Sequence, residues 1–187
     1  MAFWSDVGSG REPKRVYRWL MYLGNIESWM VKKVAKPSFE ITTAEHKYLN
    51  HTFYYPGRVQ YETVDITLVD PVQPDAAGTM MQILRHSGYS PPAPDNVNTI
   101  SKNNATNALG SVRIVQLGPG KVDNPTALDI VEEFTFINAW VSKVNFGELD
   151  YESDNLVDVT LTLRYDYATL DAAATERGLA TTPFGPG

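Results

Sequence analysis

The feature of this sequence that most constrains its fold is strict alternation of polar and apolar residues in two segments. Residues 157–165 read Val-Asp-Val-Thr-Leu-Thr-Leu-Arg-Tyr, and residues 63–68 read Thr-Val-Asp-Ile-Thr-Leu. Successive side chains of a β-strand point to opposite faces, so a period of two places every apolar side chain of such a segment on one face. Both segments therefore predict strands that are buried on one face.

Several other segments predict strands because they are rich in β-branched and aromatic residues. Residues 112–117 form one such segment, which is followed by a turn at Gly118-Pro119-Gly120. A second segment is residues 129–144, for which we expect a bent strand. Residues 16–23 and 29–34 are expected to pair as a hairpin across Gly24-Asn25. A short strand at Phe53-Tyr54-Tyr55 is expected to lead into a turn at Pro56-Gly57.

One helix is expected between these strands. Pro71 and Pro74 suit a first turn, and an apolar face follows at helical spacing, formed by Ala77, Met80, Met81 and Leu84. Gly88 is placed to end this helix. Many strands with one helix predict a mainly β fold, an antiparallel β-sandwich or barrel with one flanking α-helix.

The length of 187 residues favours a single domain over residues 1–187. Within it we expect an N-terminal arm over residues 1–14 and a C-terminal tail over residues 171–187. Residues 87–109 are rich in Pro, Ser, Thr and Asn, and a loop of that length is either disordered or functional.

Composition and motifs narrow the chemistry open to this chain. It has no cysteine, which excludes disulfides, a thiolate nucleophile and cysteine-ligated metals. Neither an HExxH motif, a GxSxG elbow nor a phosphate-binding loop is present. We therefore expect no catalytic site, cofactor or metal. With no signal-peptide pattern in residues 1–10 and no apolar run of membrane-spanning length, we expect a soluble protein.

Charge is distributed unevenly along the chain. The net charge is −6, but residues 1–36 carry +4 and the remainder −10. One interpretation is an unevenly charged, solvated surface; the other is self-complementarity, in which a basic patch of one subunit meets an acidic patch of the next. The second interpretation singles out basic residues near the N-terminus as contact candidates, namely Arg11, Lys14, Arg15 and Arg18. Phe3 and Trp4 are aromatic residues that would also suit an interface.

Four acidic residues alternate in the C-terminal third: Glu148, Asp150, Glu152 and Asp154. In an extended segment their carboxylates share one face, where they would form a solvated acidic edge, a subunit contact, a channel wall or a calcium site. A calcium loop of the EF-hand type is disfavoured because Asn155 stands where its glycine belongs.

The same region carries segments in a distinctive order: an aromatic strand, a Gly-Glu-Leu segment, an acidic turn and a strand ending in tyrosines. They are Phe136-Ile137-Asn138-Ala139-Trp140, Val144-Asn145-Phe146-Gly147-Glu148-Leu149-Asp150-Tyr151, Glu152-Ser153-Asp154-Asn155, and residues 156–167 ending in Arg164-Tyr165-Asp166-Tyr167. This run resembles the closing β-hairpin of the tail tube protein of contractile-tailed bacteriophages, a family related to type VI secretion tube proteins. The resemblance covers about residues 59–167 and is most specific over residues 140–167.

The resemblance implies a structural protein rather than an enzyme. Six subunits would form a ring, and rings would stack into a hollow tube inside a contractile sheath that conducts DNA during infection. The implied partners are further copies of the chain, the sheath protein, baseplate and tail-terminator proteins, a tape-measure protein in the lumen before ejection, and DNA that passes without specific binding. The implied location is the virion tail, assembled in the host bacterial cytoplasm.

Three alternatives stay open at this point. The chain is a tube protein of another contractile injection system or a baseplate or tail-end protein of the same fold, a monomeric β-sandwich that binds a ligand through its aromatic residues, or an enzyme with paired carboxylates. The last predicts a carboxyl with a strongly raised pKa in a cleft.

Overall fold

The computed structural model describes residues 13–91, 98–119, 129–152 and 154–172. These residues form ten strands, two α-helices and a short 3₁₀ helix at Ser28–Met30. The strands are β1 (Trp19–Leu23), β2 (Val31–Val34), β3 (Phe39–Tyr48), β4 (His51–Tyr61), β5 (Val64–Val69), β6 (Val112–Leu117), β7 (Ile130–Ile137), β8 (Trp140–Asn145), β9 (Asp158–Arg164) and β10 (Tyr167–Ala172). The helices are α1 (Ala76–His86) and α2 (Lys102–Leu109).

Two four-stranded sheets pack face to face around one core. The first sheet has the order β1-β6-β7-β10 and the second β2-β5-β9-β8, and all neighbouring strands are antiparallel. Buried side chains from both inner faces meet in this core, including Met21 and Ile114 from the first sheet and Ile66 and Leu161 from the second. The predicted mainly β, antiparallel sandwich is confirmed.

The three segments with the clearest pattern form the strands that the sequence predicts. Residues 63–68 correspond to β5, residues 157–165 to β9 and residues 112–117 to β6. In β5 and β9 the apolar positions are buried and the polar ones face outward, as a period of two requires.

The single bent strand predicted over residues 129–144 is instead two strands in different sheets. Residue Asn138 interrupts it with a φ of +55°, a conformation that asparagine tolerates better than most residues. Its side-chain amide donates to Asp166 Oδ2 at 2.7 Å, which fixes the crossing from β7 to β8.

The predicted hairpin between residues 16–23 and 29–34 is wrong. Strand β1 pairs with β6, and β2 pairs with β5 in the other sheet. Between them Gly24 has a φ of +53°, and a Cβ there would clash with the carbonyl oxygen of Leu109. The close approach of α2 to this glycine makes the segment a connection between sheets rather than a reversal within one.

Helix α1 lies where the sequence predicts it, and two aspartates fix its start. The N-cap residue Asp75 accepts a hydrogen bond from the Gly78 N–H at 2.9 Å, and Asp70 Oδ1 accepts from the Ala76 N–H at 3.0 Å. Of the predicted apolar face, Met80 is buried, whereas Met81 is exposed.

The predictions missed one α-helix and two strands. Helix α2 occupies the end of the loop predicted over residues 87–109, and the Ser101 hydroxyl caps it by accepting from the Asn104 N–H at 3.2 Å. The fold therefore has two flanking helices rather than one. Strand β3 was missed, and β10 extends into the predicted tail as far as Ala172. The remainder of that tail, residues 173–187, lies outside the described residues, as do residues 1–12 of the predicted arm.

Candidate assembly interfaces

A long hairpin of β3 and β4 extends from the second sheet. Strand β2 leads into β3 and β4 leads into β5, so the hairpin continues the β2–β5 pair beyond the sandwich. Within the described residues, β3 and β4 pair only with each other. A strand of 10 residues spans about 34 Å, so this hairpin carries two strands well away from the core. The predicted turn at Pro56-Gly57 is wrong, because both residues lie inside β4 beside a register shift.

Aromatic side chains gather on one face of the outer half of this hairpin. Across the hairpin, His46 pairs with Phe53 and Tyr48 pairs with His51. These two pairs are two positions apart along the strands, so their side chains lie on the same face of the hairpin. Tyr55, which pairs with Ala44, lies on that face as well. The rings of His51 and Phe53 are in edge contact at 4.7 Å. These side chains are nevertheless open to solvent: Tyr48 is 63% exposed, and Leu49 at the tip is 89% exposed. We call the face formed by His46, Tyr48, His51, Phe53 and Tyr55 the aromatic face.

The base of the hairpin is fastened to the core by a chain of rings. The ring centroids of Phe39 and Tyr61 are 5.9 Å apart, and those of Tyr61 and Tyr165 are 5.7 Å apart. The ring centroids of Tyr165 and Phe136 are 4.9 Å apart. Burial and the neighbouring Tyr61 raise the pKa of the Tyr165 hydroxyl. Because Phe136 and Tyr165 belong to the core, the direction in which the hairpin leaves the sandwich is set by packed side chains.

The residues just before β1 are held against the first sheet by a buried carboxylate. Both Lys14 Nζ and Lys36 Nζ donate to Glu132, which is 6% exposed. Burial raises the pKa of the Glu132 carboxyl, but the hydrogen bonds and charges of the two lysines outweigh burial and hold the pKa below its ordinary value. A carboxyl with a lowered pKa is an anchor rather than the raised-pKa acid that the enzyme alternative predicts.

A second anchor on β6 holds the same segment. The Gln116 side-chain amide donates to the carbonyl oxygens of Arg15 at 2.9 Å and Arg18 at 2.5 Å, and the Leu117 N–H also donates to Arg18 at 2.9 Å. Gln116 is itself buried. The predicted contact residues Lys14, Arg15 and Arg18 therefore lie on a fixed segment, whereas Phe3, Trp4 and Arg11 lie outside the described residues.

These anchored residues help to form a basic cleft between the two sheets. Its volume is about 440 Å³, and it opens beside the edge strands β1 and β2. Its cationic lining residues are Lys14, Arg15, Lys32, Lys33 and Lys36, and its apolar lining includes Val16, Trp19, Val34 and Ile114. Lys32 binds Asp158 at 2.7 Å. In the part of the chain that the structure describes, the side chains of Arg15 and Lys33 have no carboxylate partner.

The four alternating acids lie in the connection from β8 to β9. Glu148, Asp150, Glu152 and Asp154 are all exposed, and over residues 13–91, 98–119, 129–152 and 154–172 none has a cationic partner. Asp150 Oδ1 accepts from the Glu152 N–H at 3.0 Å, which shapes the local turn. We call residues 148–152 together with Asp154 the acidic loop. Among the described residues, no three or more His, Asp or Glu side chains are arranged to hold a metal ion.

A further groove lies between the helices and β8. It has a volume of about 300 Å³ and an apolar lining that includes Met80, Met81, Leu84, Ile100, Trp140 and Phe146. No helix among the described residues is both long and apolar enough to cross a membrane.

The sequence reasoning did not identify Glu132, Lys36 or the aromatic face. One signal was present for Glu132, because it shares its position in the alternation with the inward-facing Phe134 and Phe136. A carboxylate on the inner face of a strand requires a cation nearby. Its partners are 118 and 96 residues away in sequence, so local patterns do not reveal them.

Comparison with solved structures shows what kind of protein has this fold. The chain is similar to the tube-terminating cap of the anti-feeding prophage, with a TM-score of 0.63 and 17% identity over 92% of this chain and 100% of that one. It is also similar to a chain of the sheath–tube complex of PVC, an extracellular contractile injection system, with a TM-score of 0.62 and 17% identity over 88% and 95% of the two chains. A chain of the anti-feeding prophage baseplate gives a TM-score of 0.59 and 15% identity over 86% and 97%.

No protein-family model and no curated protein sequence matches the chain. At identities of 15–17%, the structural likeness shows the fold. The chain has the fold of tube and cap proteins of contractile injection systems, and the tail-tube resemblance seen in the sequence is confirmed at that level.

Proposed function

We propose that this chain is a structural, self-assembling tube subunit. Six copies form a ring, and rings stack into a hollow tube within a contractile sheath. As a phage tail tube, it conducts DNA through the lumen during infection. Its partners are further copies of itself, the sheath protein, baseplate and tail-terminator proteins, and a tape-measure protein in the lumen before ejection. The tube is assembled in the bacterial cytoplasm and forms part of the virion tail.

The observation that carries this proposal is the β3–β4 hairpin. A two-stranded hairpin is marginally stable in water on its own, and three or more strands or a packed partner are needed for stability. This hairpin has 10 and 11 residues in its strands, and it leaves an aromatic face open to solvent. Contiguous exposed apolar surface of this kind marks an interaction site. In the proposed tube the aromatic face packs against the next ring.

The edges of the two sheets support assembly as well. Strands β1 and β10 border the first sheet, and β2 and β8 border the second. Unpaired strand edges invite association, and closure of a sheet into a barrel removes them. A ring in which neighbouring subunits join edge to edge satisfies these backbone groups and lines the lumen with strands.

A second candidate is a cap or baseplate subunit of a contractile injection system. It is favoured by the similarity to the anti-feeding prophage cap and baseplate chains, which share the fold at TM-scores of 0.63 and 0.59. Such a subunit forms one ring but does not stack on copies of itself. The two functions therefore differ in the number of rings that the pure protein forms.

The experiment is electron microscopy and sedimentation velocity of the purified chain and two variants. Replacing Tyr48, Phe53 and Tyr55 together by serine removes three of the five side chains that form the aromatic face. Replacing Tyr54, which lies on the opposite face beside Glu45, by serine is the matched control. We expect long tubes for the wild type and the control, and single rings for the triple variant with unchanged thermal unfolding.

Single rings of the wild type would favour the cap or baseplate function over the tube function. A wild-type chain that stays monomeric at every concentration would contradict both functions and favour the monomeric binding module.

A further inference from the structure

The basic cleft and the acidic loop are different surfaces, and both border the second sheet. That sheet has the order β2-β5-β9-β8, and the cleft opens beside β2, whereas the acidic loop follows β8. A contact between different surfaces of identical subunits generates a ring or a filament, because each subunit keeps one surface free for the next. The cleft and the acidic loop are two such different surfaces of one subunit.

Within the part of the chain that the structure describes, the two surfaces carry opposite net charge. Counted over the described residues alone, the cleft has five cationic side chains against the two carboxylates that they bind, Glu132 and Asp158, which leaves an excess of three positive charges. The acidic loop has four carboxylates without a cation among the described residues. Juxtaposed surfaces of opposite potential attract during encounter and fix the register of the contact.

The apolar parts of the two surfaces also match. Between its acids the loop presents Leu149, 86% exposed, and Tyr151, which is fully exposed. The cleft has Trp19, Val34 and Ile114 among its lining residues, and Val16 at 92% exposure. Aromatic and aliphatic side chains that enter a cleft with a charged rim form the usual arrangement of an interface, apolar at the centre and polar at the edge.

We propose that the acidic loop of one subunit binds the basic cleft of a second copy of this chain, as the lateral contact between neighbours in a ring. This inference rests on the proposed self-assembly and adds which surfaces meet. Arg15 and Lys33 pair with carboxylates of the partner's loop, and Leu149 or Tyr151 of the loop enters the cleft beside Trp19.

The first test is site-directed cross-linking, which the absence of cysteine makes clean. Lys33→Cys and Asp150→Cys are made in separate full-length chains, mixed, and treated with a short bis-maleimide under assembly conditions. The matched control pairs Asp150→Cys with Arg85→Cys, since Arg85 is an exposed cation on α1. We expect cross-linked dimers from the first pair in at least about tenfold excess over the control pair, because assembly raises the local concentration of the two thiols.

The second test is charge reversal followed by a swap. The cleft variant carries Arg15→Glu and Lys33→Glu, and the loop variant carries Asp150→Lys and Glu152→Lys. We expect each variant alone to raise the concentration needed for assembly by about tenfold or more, and the chain with all four changes to recover most of that loss. Arg85→Glu, the control reversal, leaves assembly unchanged.

The outcomes separate this inference from the proposed function. Tubes or rings that form without the cross-link, together with reversals that leave assembly unchanged, overturn the inference while the proposed function stands. A wild type that stays monomeric and yields no cross-link overturns both. Binding of duplex DNA that the cleft variant abolishes, with no cross-link, overturns the inference in favour of a nucleic-acid site.

Discussion

Replacement of Glu132 by glutamine tests the anchor that fixes the residues before β1. The carboxylate is buried in the first sheet, while the side chains of its partners Lys14 and Lys36 are 50% and 47% exposed. Glutamine has nearly the same shape and removes only the negative charge. The two lysines then lose their counter-ion, and a neutral amide occupies the buried position.

The magnitude follows from this geometry. Removing one partner of a fully buried ion pair costs about 3–5 kcal/mol, but here water reaches both lysines and screens the interaction. We therefore expect the free energy of unfolding to fall by about 2 kcal/mol. For a domain of this length, each kcal/mol lowers the unfolding midpoint by about 2–4 °C, so the shift is about 4–8 °C.

The dependence on pH gives an independent signature. Because the pKa of Glu132 is held below its ordinary value of 4.5 in the folded chain, the unfolded state binds the proton more readily. The contribution of Glu132 to stability is therefore complete above pH 4.5 and is lost as the pH falls through the lower folded pKa. The difference between wild type and Glu132→Gln should shrink over that acidic range.

The assay is urea unfolding of both proteins at neutral pH and at a series of acidic values. The matched control is Glu133→Gln, the adjacent residue, whose carboxylate binds Arg113 at 3.2 Å nearer the surface and should cost less than about 1 kcal/mol. Equal losses for the two substitutions, or a loss for Glu132→Gln that persists unchanged at acidic pH, would refute the reasoning.

Three further substitutions test other parts of the fold by urea unfolding. Asp70→Ala removes the carboxylate that accepts from the Ala76 N–H at the start of α1 and should cost about 1–2 kcal/mol; a neutral result would mean that Asp75 alone caps the helix. Gly24→Ala should cost more than about 1 kcal/mol, because a Cβ would meet the Leu109 carbonyl oxygen at a φ of +53°, and wild-type stability would show that this approach relaxes freely. Leu161→Ala should cost about 2–5 kcal/mol, since Leu161 is fully buried between the sheets, and a loss under 1 kcal/mol would indicate a core that collapses around the cavity.

The sequence predictions succeeded where the spacing of apolar residues reflects which side chains are buried. Strands β5, β6 and β9 lie at the centre of their sheets. In β5 and β9 one face is buried and the alternation of polar and apolar residues is clear, whereas β6 buries three consecutive residues and was identified from its β-branched residues. Strands β3 and β4 are exposed on both faces, so burial imposes no alternation on them and β3 was missed. Helix α2 reads Lys-Asn-Asn-Ala-Thr-Asn-Ala-Leu and buries only Ala105 and Leu109, which leaves too weak a helical pattern to identify.

The second limit of the sequence predictions was that they could not identify which strands pair with each other. The residues of β1 and β2 were recognised as strands, but local sequence does not say to which sheet a strand belongs, and the short connection between them suggested a hairpin. The connection between β1 and β2 passes close to Leu109 at Gly24, and this approach goes with the placement of the two strands in different sheets. Leu109 and Gly24 are far apart in the chain, so local sequence does not reveal their contact. For the candidate interfaces, the exposure of the acidic loop was foreseen as one interpretation. The pairing of Lys14 with Glu132 was not predicted, because the carboxylate comes from a strand more than a hundred residues away.

The structure separates the residues that hold the subunit together from those proposed to hold subunits to each other. The core is complete within one chain: Met21, Ile66 and Leu161 are fully buried without a partner subunit. Among the described residues, the ring contacts that join the β3–β4 hairpin to that core lie at the base of the hairpin, through Phe39 and Tyr61. Substitutions on the aromatic face therefore test the proposed contacts between subunits, while substitutions in the core change folding itself. In the proposed tube, such a subunit folds first and assembles afterwards, and its exposed aromatic residues contribute free energy only once a second copy covers them.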